Sequence, residues 1–171
     1  MKISASVKIS YNSAFKYNIC YHITMTRSEQ AKQLFMDGHN CAQAVFCAFA
    51  SELGIDEKTA LCLSACFGGG LGRQREVCGA VSAMCMALSL KYAPQDPKDH
   101  VAKAAFYTRI QEACNQFKKE NGSIICRELL GIASGPQSPV PAKRTPEYYA
   151  HRTCQDKVKC AAEILEKYLE I

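Results

Sequence analysis

The 171 residues carry 21 Lys and Arg against 16 Asp and Glu, a formal charge of +5, with 48% hydrophobic and 22% charged residues. That length suits a single domain able to bury a core without metal or disulfide staples. Lys2, Lys8 and Lys16 sit in an acid-free opening stretch, and the 18 bases against 16 acids that remain carry no bulk charge from which to expect nucleic-acid binding.

Residues 1–24 are rich in Ser, Lys and Tyr, lack helical periodicity and precede Met25. They read as a disordered basic extension, or as a mis-assigned start with Met25 the true beginning. A targeting peptide is the weaker option because arginine is missing. The fold is therefore sought in residues 25–171.

From there the helix punctuation runs in order. Thr26 and Glu29 form a capping box for a helix over Arg27–Met36, stopped at Gly38. Asn40 caps Cys41–Leu53, closed by Gly54, and Asp56 caps Glu57–Phe67, which runs into Gly68-Gly69-Gly70. A fourth helix spans about Cys78–Lys91. Asp96-Pro97 opens a long fifth that ends at Asn121-Gly122. Ser123 caps a short helix through Leu130. Pro136, Pro139 and Pro141 make Ala133–Thr145 a loop, Thr145-Pro146 opens one turn, and Thr153 caps Cys154–Leu169. No stretch alternates with period two. The expectation is an all-α, single-domain bundle of six to seven helices. The second and fourth are apolar nearly all round and belong at its centre, with the fifth and last outside them.

Cysteine is the outlier, with 11 residues at positions 20, 41, 47, 62, 66, 78, 85, 114, 126, 154 and 160. The odd total, the placement inside apolar helical runs and the missing secretory h-region point to free thiols or thiolate ligands in a reducing cytoplasm. The longest uncharged apolar run, Val77–Leu90, is too short to span a bilayer, so no membrane insertion is expected. Four cysteines share a placement. Cys41, Cys78, Cys126 and Cys154 all fall in the first turn of a helix. Free backbone N–H groups and the positive end of the helix dipole favour negative charge there. Arg73, Arg75, Arg127 and Arg152 add to it. Such thiols are expected to titrate below the ordinary value of about 8.5.

The stretches Gly38-His39-Asn40-Cys41-Ala42-Gln43-Ala44-Val45, Phe67-Gly68-Gly69-Gly70-Leu71-Gly72-Arg73 with Glu76-Val77-Cys78-Gly79-Ala80, and Ile125-Cys126-Arg127-Glu128-Leu129-Leu130-Gly131 carry a further signal. Together they resemble the C_GCAxxG_C_C family of redox-active proteins over roughly Arg27–Leu169, and its four characteristic cysteines fall on Cys41, Cys78, Cys126 and Cys154. The resemblance implies an all-helical fold and a redox role. The family is also similar to the iron–sulfur part of split-Soret cytochromes c, which implies that four such cysteines can hold a cluster. Ala83 replaces the second glycine of the family's CGAxxG motif, and no CxxCH supports covalent haem.

Three chemistries remain open for the tetrad. Four thiolates can hold an iron–sulfur cluster, [2Fe-2S] being one form, which is the leading reading. A metal-free thiol–disulfide oxidoreductase would use Cys78 as nucleophile with Cys41 as a second catalytic thiol. A structural zinc module is the third, although the closely spaced CxxC pairs that zinc usually takes are missing. The redox readings call for a redox partner protein, as yet unidentified, and a homodimer is compatible with the chain. Gly79, Arg73 and Arg75 are candidates for binding a cofactor or anion at the start of the fourth helix. The glycine loop itself fails the dinucleotide and Walker patterns. Cys47, Cys62, Cys66, Cys85, Cys114 and Cys160 read as small buried hydrophobes, His39 and His151 as loop histidines, and Met84 and Met86 as core filling.

Overall fold

A computed structural model describes residues 25–133 and 138–171. The opening 24 residues, and Cys20 with them, lie outside the described residues. Eight α-helices are described: α1 (Arg27–Met36), α2 (Cys41–Ala48), α3 (Glu57–Ser64), α4 (Gly79–Tyr92), α5 (His100–Asn121), α6 (Cys126–Leu130), α7 (Pro146–Ala150) and α8 (Cys154–Leu169), with a 3₁₀ turn at Ala65–Phe67. The fold is all-α, and among the described residues it contains no strand. The short α7 takes the count one beyond the expected range.

The caps explain most boundaries. Thr26 and Glu29 make the capping box of α1. The Asn40 side chain accepts from the amides of Ala42 and Gln43 at 2.9 and 3.0 Å, and Gln43 returns a bond to the Asn40 amide. Asn40 also donates to the carbonyl of Ala65 and Gln43 to that of Leu61, which pins the start of α2 to the end of α3. Besides the third helix, which ends at Ser64 before the 3₁₀ turn, and the short sixth, which starts at Cys126 after Ile125 and is not capped by Ser123, two boundaries differ from the sequence reading. The second helix stops at Ala48 and continues as turns to Gly54. The fifth starts at His100 because Asp99, not Asp96, accepts from the third helical amide (Ala102, 2.9 Å), while Asp96 closes a turn onto Lys98.

Helices α2 and α4 form the centre, as their composition requires. Ala42, Ala44, Val45, Phe46 and Ala48 of the first are buried, as are Ala80, Val81, Ala83, Met84, Ala87 and Leu88 of the second. Small residues at most of these sites let the two backbones approach closely. Helix α5 is peripheral and buries only Ala113 and Phe117. Helix α8 is more central than expected. Its apolar face buries Val158, Cys160, Ala161, Ala162, Ile164 and Leu165, and it touches α1, α2, α4 and α5. Glu166 on α8 also accepts from the Ser28 amide at 2.8 Å, supplying α1 with an N-terminal carboxylate. No helix among the described residues is long and apolar enough to cross a membrane.

One isolated bridge, Val77 with Ile125, joins the approach to α4 to the approach to α6. The Cys78 amide donates to the carbonyl of Ile124 at 2.8 Å and the Cys126 amide to that of Glu76 at 2.6 Å. Backbone bonds thereby set the starts of two helices side by side.

Candidate functional site

Cys41, Cys126 and Cys154 are each the first residue of a helix, and Cys78 is the residue that precedes α4. All four line a single cavity of about 190 Å³. That is smaller than the roughly 300 Å³ at which pockets for drug-sized ligands begin. It suits a compact group rather than a dinucleotide.

Close packing brings the walls together. A Cβ on Gly79 would lie 2.6 Å from the Cys41 sulfur and 2.6 Å from the carbonyl oxygen of Phe67, so only glycine lets α4 start against α2. Gly79 does not line the cavity, and this packing explains it without a bound cofactor. Gly70 does the same for the other wall. At φ +69 it lies in the left-handed region, and a Cβ there would meet the Cys126 Cβ at 2.7 Å. Leu71, Arg73 and Arg75 also have positive φ, which marks the loop as a strained connector.

The cavity wall is one-sided in charge. Arg73, Arg75, Arg144, Arg152 and Lys157 line it, and among the described residues no carboxylate does. Arg75 is only 2% exposed. One of its nitrogens lies 3.9 Å from the Cys126 sulfur, while Nε and Nη2 have no hydrogen-bond partner. Burial and the nearby guanidiniums of Arg75 and Arg152 hold the Arg73 pKa below its ordinary value. Buried, unpaired cations of this kind are costly unless an anion compensates them. Arg144 donates to the carbonyls of Phe35 and His39 at 2.8 and 2.9 Å and stacks over the Phe35 ring, which ties the segment before α7 to the cavity rim.

The thiols themselves depart from expectation. Their helix-start placement predicted lowered pKa values. Instead burial, with repulsion from Cys41, pushes Cys78 up strongly, against a smaller pull from the amides of Ala80 and Val81. Burial raises Cys126 despite Arg75, and it raises Cys154 to about 11. Desolvation at these sites outweighs the helix-end field. Repulsion from Cys41 is among the causes for each of the other three, as expected for thiols that share one cavity.

A pH dependence follows. Burial also raises Cys47 and Cys160 to about 11. A thiol whose folded pKa exceeds its unfolded value stabilises the fold fully below the unfolded value, and that contribution is lost as pH rises through the folded one. The urea midpoint of the metal-free protein is therefore expected to fall between pH 9 and 11. A midpoint that rises or stays flat across that window contradicts the assignment.

Among the described residues, no three cysteine, histidine or carboxylate side chains converge tightly enough to hold a metal ion as they stand. A tetrahedral zinc cage with Zn–S of about 2.3 Å needs its sulfurs about 3.8 Å apart, and none is preformed. His39 and His151 do not line the cavity, and the His39 ring pairs with the Leu34 carbonyl at 3.0 Å. Cys62 and Cys66 are exposed, which corrects their reading as buried hydrophobes: Cys62 lies on the outer face of α3 and Cys66 on the 3₁₀ turn that follows it. The sequence reading did not single out Arg144 or Lys157 for the site. Arg144 follows a proline-rich loop and Lys157 sits one turn into α8, and neither position carries a local signal.

A protein-family model described as "Putative redox-active protein (C_GCAxxG_C_C)" matches residues 39–168. No curated protein and no solved structure matches.

Proposed function

The chain belongs to the C_GCAxxG_C_C family of redox-active proteins, and from that premise we propose that it is an electron-transfer protein in which Cys41, Cys78, Cys126 and Cys154 hold an iron–sulfur cluster. The observation that carries this reading is the buried Arg75 guanidinium, with two unpartnered nitrogens, beside four thiols in a cavity free of carboxylates. Four thiolates around a cluster leave a net negative charge, and five cations answer it.

The donor set and the cationic lining suit such a group, but the four thiols do not converge on a metal position as they stand, so this reading requires them to close around the cluster as it binds. Each donor comes from a different helix start, so the sulfurs approach from separate directions, as a polynuclear group needs. When bound, the cluster supplies one-electron transfer. The protein's own part is electrostatic and protective. Arg75 neutralises charge next to Cys126, Arg73 and Arg152 raise the local potential, and Tyr148 with Leu129 and Leu130 limits water. The raised pKa values also weigh against a metal-free nucleophile at Cys78, since burial holds that thiol protonated where an attacking group must be a thiolate. A reducing compartment such as the cytoplasm suits four free thiols, and a redox partner would supply and accept the electrons.

The test is anaerobic purification followed by iron and sulfide analysis and absorption spectroscopy. Iron with inorganic sulfide is expected, with visible charge-transfer bands that dithionite bleaches and that each single Cys→Ser variant of the four weakens or abolishes. Colourless, metal-free protein with four titratable thiols would establish the dithiol enzyme instead. Stoichiometric zinc would remove the redox reading altogether.

A further inference from the structure

Away from that cavity, Cys85 on α4 and Cys114 on α5 bring their sulfurs to 3.7 Å. We propose that these two thiols are a second redox site, a two-electron dithiol–disulfide couple oxidised by low-molecular-weight disulfides.

Neither cysteine lines the four-cysteine cavity, so the inference does not depend on what that cavity holds. Cys85 lies seven residues beyond Cys78 in chain order, roughly 10 Å along the axis of α4. A disulfide needs its sulfurs at about 2.05 Å. Closing the gap takes less than 2 Å of sulfur movement, within reach of side-chain rotation on two packed helices. Both residues are partly exposed, which leaves a route for a small disulfide. Their chemistry is already polarised. The contact pushes the Cys85 pKa up and holds Cys114 below the ordinary thiol value, because a proton on Cys85 hydrogen-bonds to a Cys114 thiolate. Cys114 is thus the attacking sulfur and Cys85 the resolving one.

The exchange balances in two steps. The Cys114 thiolate attacks one sulfur of the small disulfide, whose S–S bond breaks and releases one thiolate. That thiolate takes the Cys85 proton and leaves as a thiol. The Cys85 sulfur then attacks the Cys114 sulfur, forming the protein disulfide and expelling the second thiolate. The two cysteines lose two electrons, and the small disulfide gains them as one thiol and one thiolate, the latter taking from solvent the proton that Cys114 gave up on ionising.

The test equilibrates the full-length protein anaerobically in buffers of graded oxidised to reduced glutathione. Acid quenching, alkylation of free thiols and peptide mass mapping follow. The expected product is a peptide pair lighter by two hydrogens, with fragmentation placing the link between Cys85 and Cys114. The link should disappear in Cys114→Ser, leaving Cys85 free. In Cys85→Ser, Cys114 should instead accumulate as its mixed disulfide with glutathione. Both variants should keep the iron content of the parent protein. Complete alkylation of both cysteines at every ratio, a link that maps to Cys78, or loss of iron on changing Cys114 would each overturn the proposal. If a variant fails to fold, the mapping of the unaltered chain decides the matter alone. Failure of the cluster reading would show instead as absent iron with this link intact.

Discussion

Gly79→Ala is expected to cost about 3 kcal/mol of folding free energy, the upper part of the usual range for overpacking a tight core. The added methyl would sit 2.6 Å from the Phe67 carbonyl and from the Cys41 sulfur. The sulfur could rotate away, but the carbonyl is backbone at the end of the 3₁₀ turn and cannot. Relief requires α4 to retreat from α2, and both are the most buried elements of the chain. Urea unfolding measures the cost, and Ser82→Ala one turn along α4 is the control, since Ser82 only returns a bond to the Cys78 carbonyl. Iron loading should fall together with stability, because the shift also moves Cys41. An unchanged midpoint would mean that the helices do not meet here.

Arg75→Met is expected to act with opposite signs on two forms of the protein. In the metal-free form it removes a buried cation with two unsatisfied nitrogens, and stability should rise by about 1–3 kcal/mol, the typical penalty of such groups. The loaded form loses the positive charge nearest Cys126. Retention of iron under chelator challenge should drop about tenfold, the lower end of what neighbours of metal ligands are worth. Backbone strain does not confound the comparison, since either side chain occupies φ +64. If the metal-free form is destabilised instead, Arg75 is a structural strut and the cavity was not built for an anion.

Much of this architecture is legible in the sequence, because capping residues and glycine stops are local signals. The bounds of α1 and α8 fall where the pattern puts them, and Thr145-Pro146 opens α7 as its cap predicts. Helix-start placement of four cysteines is local too. Their titration is not local. It depends on how deeply neighbouring helices bury each sulfur, and a lone chain carries no record of that. The same holds for Asp96, whose cap signal is as good as that of Asp99 until the turn onto Lys98 is formed. Cys85 and Cys114 both read as small buried hydrophobes, and nothing in the chain pairs the two, 29 residues apart on separate helices. Arg75 reads as one more loop arginine until its burial is seen.

The bridge between Val77 and Ile125 has a bearing on how such a chain can vary. Two of the four sulfurs are indexed by main-chain bonds one residue beyond that bridge. The exposed face of the peripheral α5, which lies between them in the chain, can change composition without disturbing their alignment. An insertion of a single residue beside Val77 or Ile125 has no such licence, because it would slip one sulfur past the other.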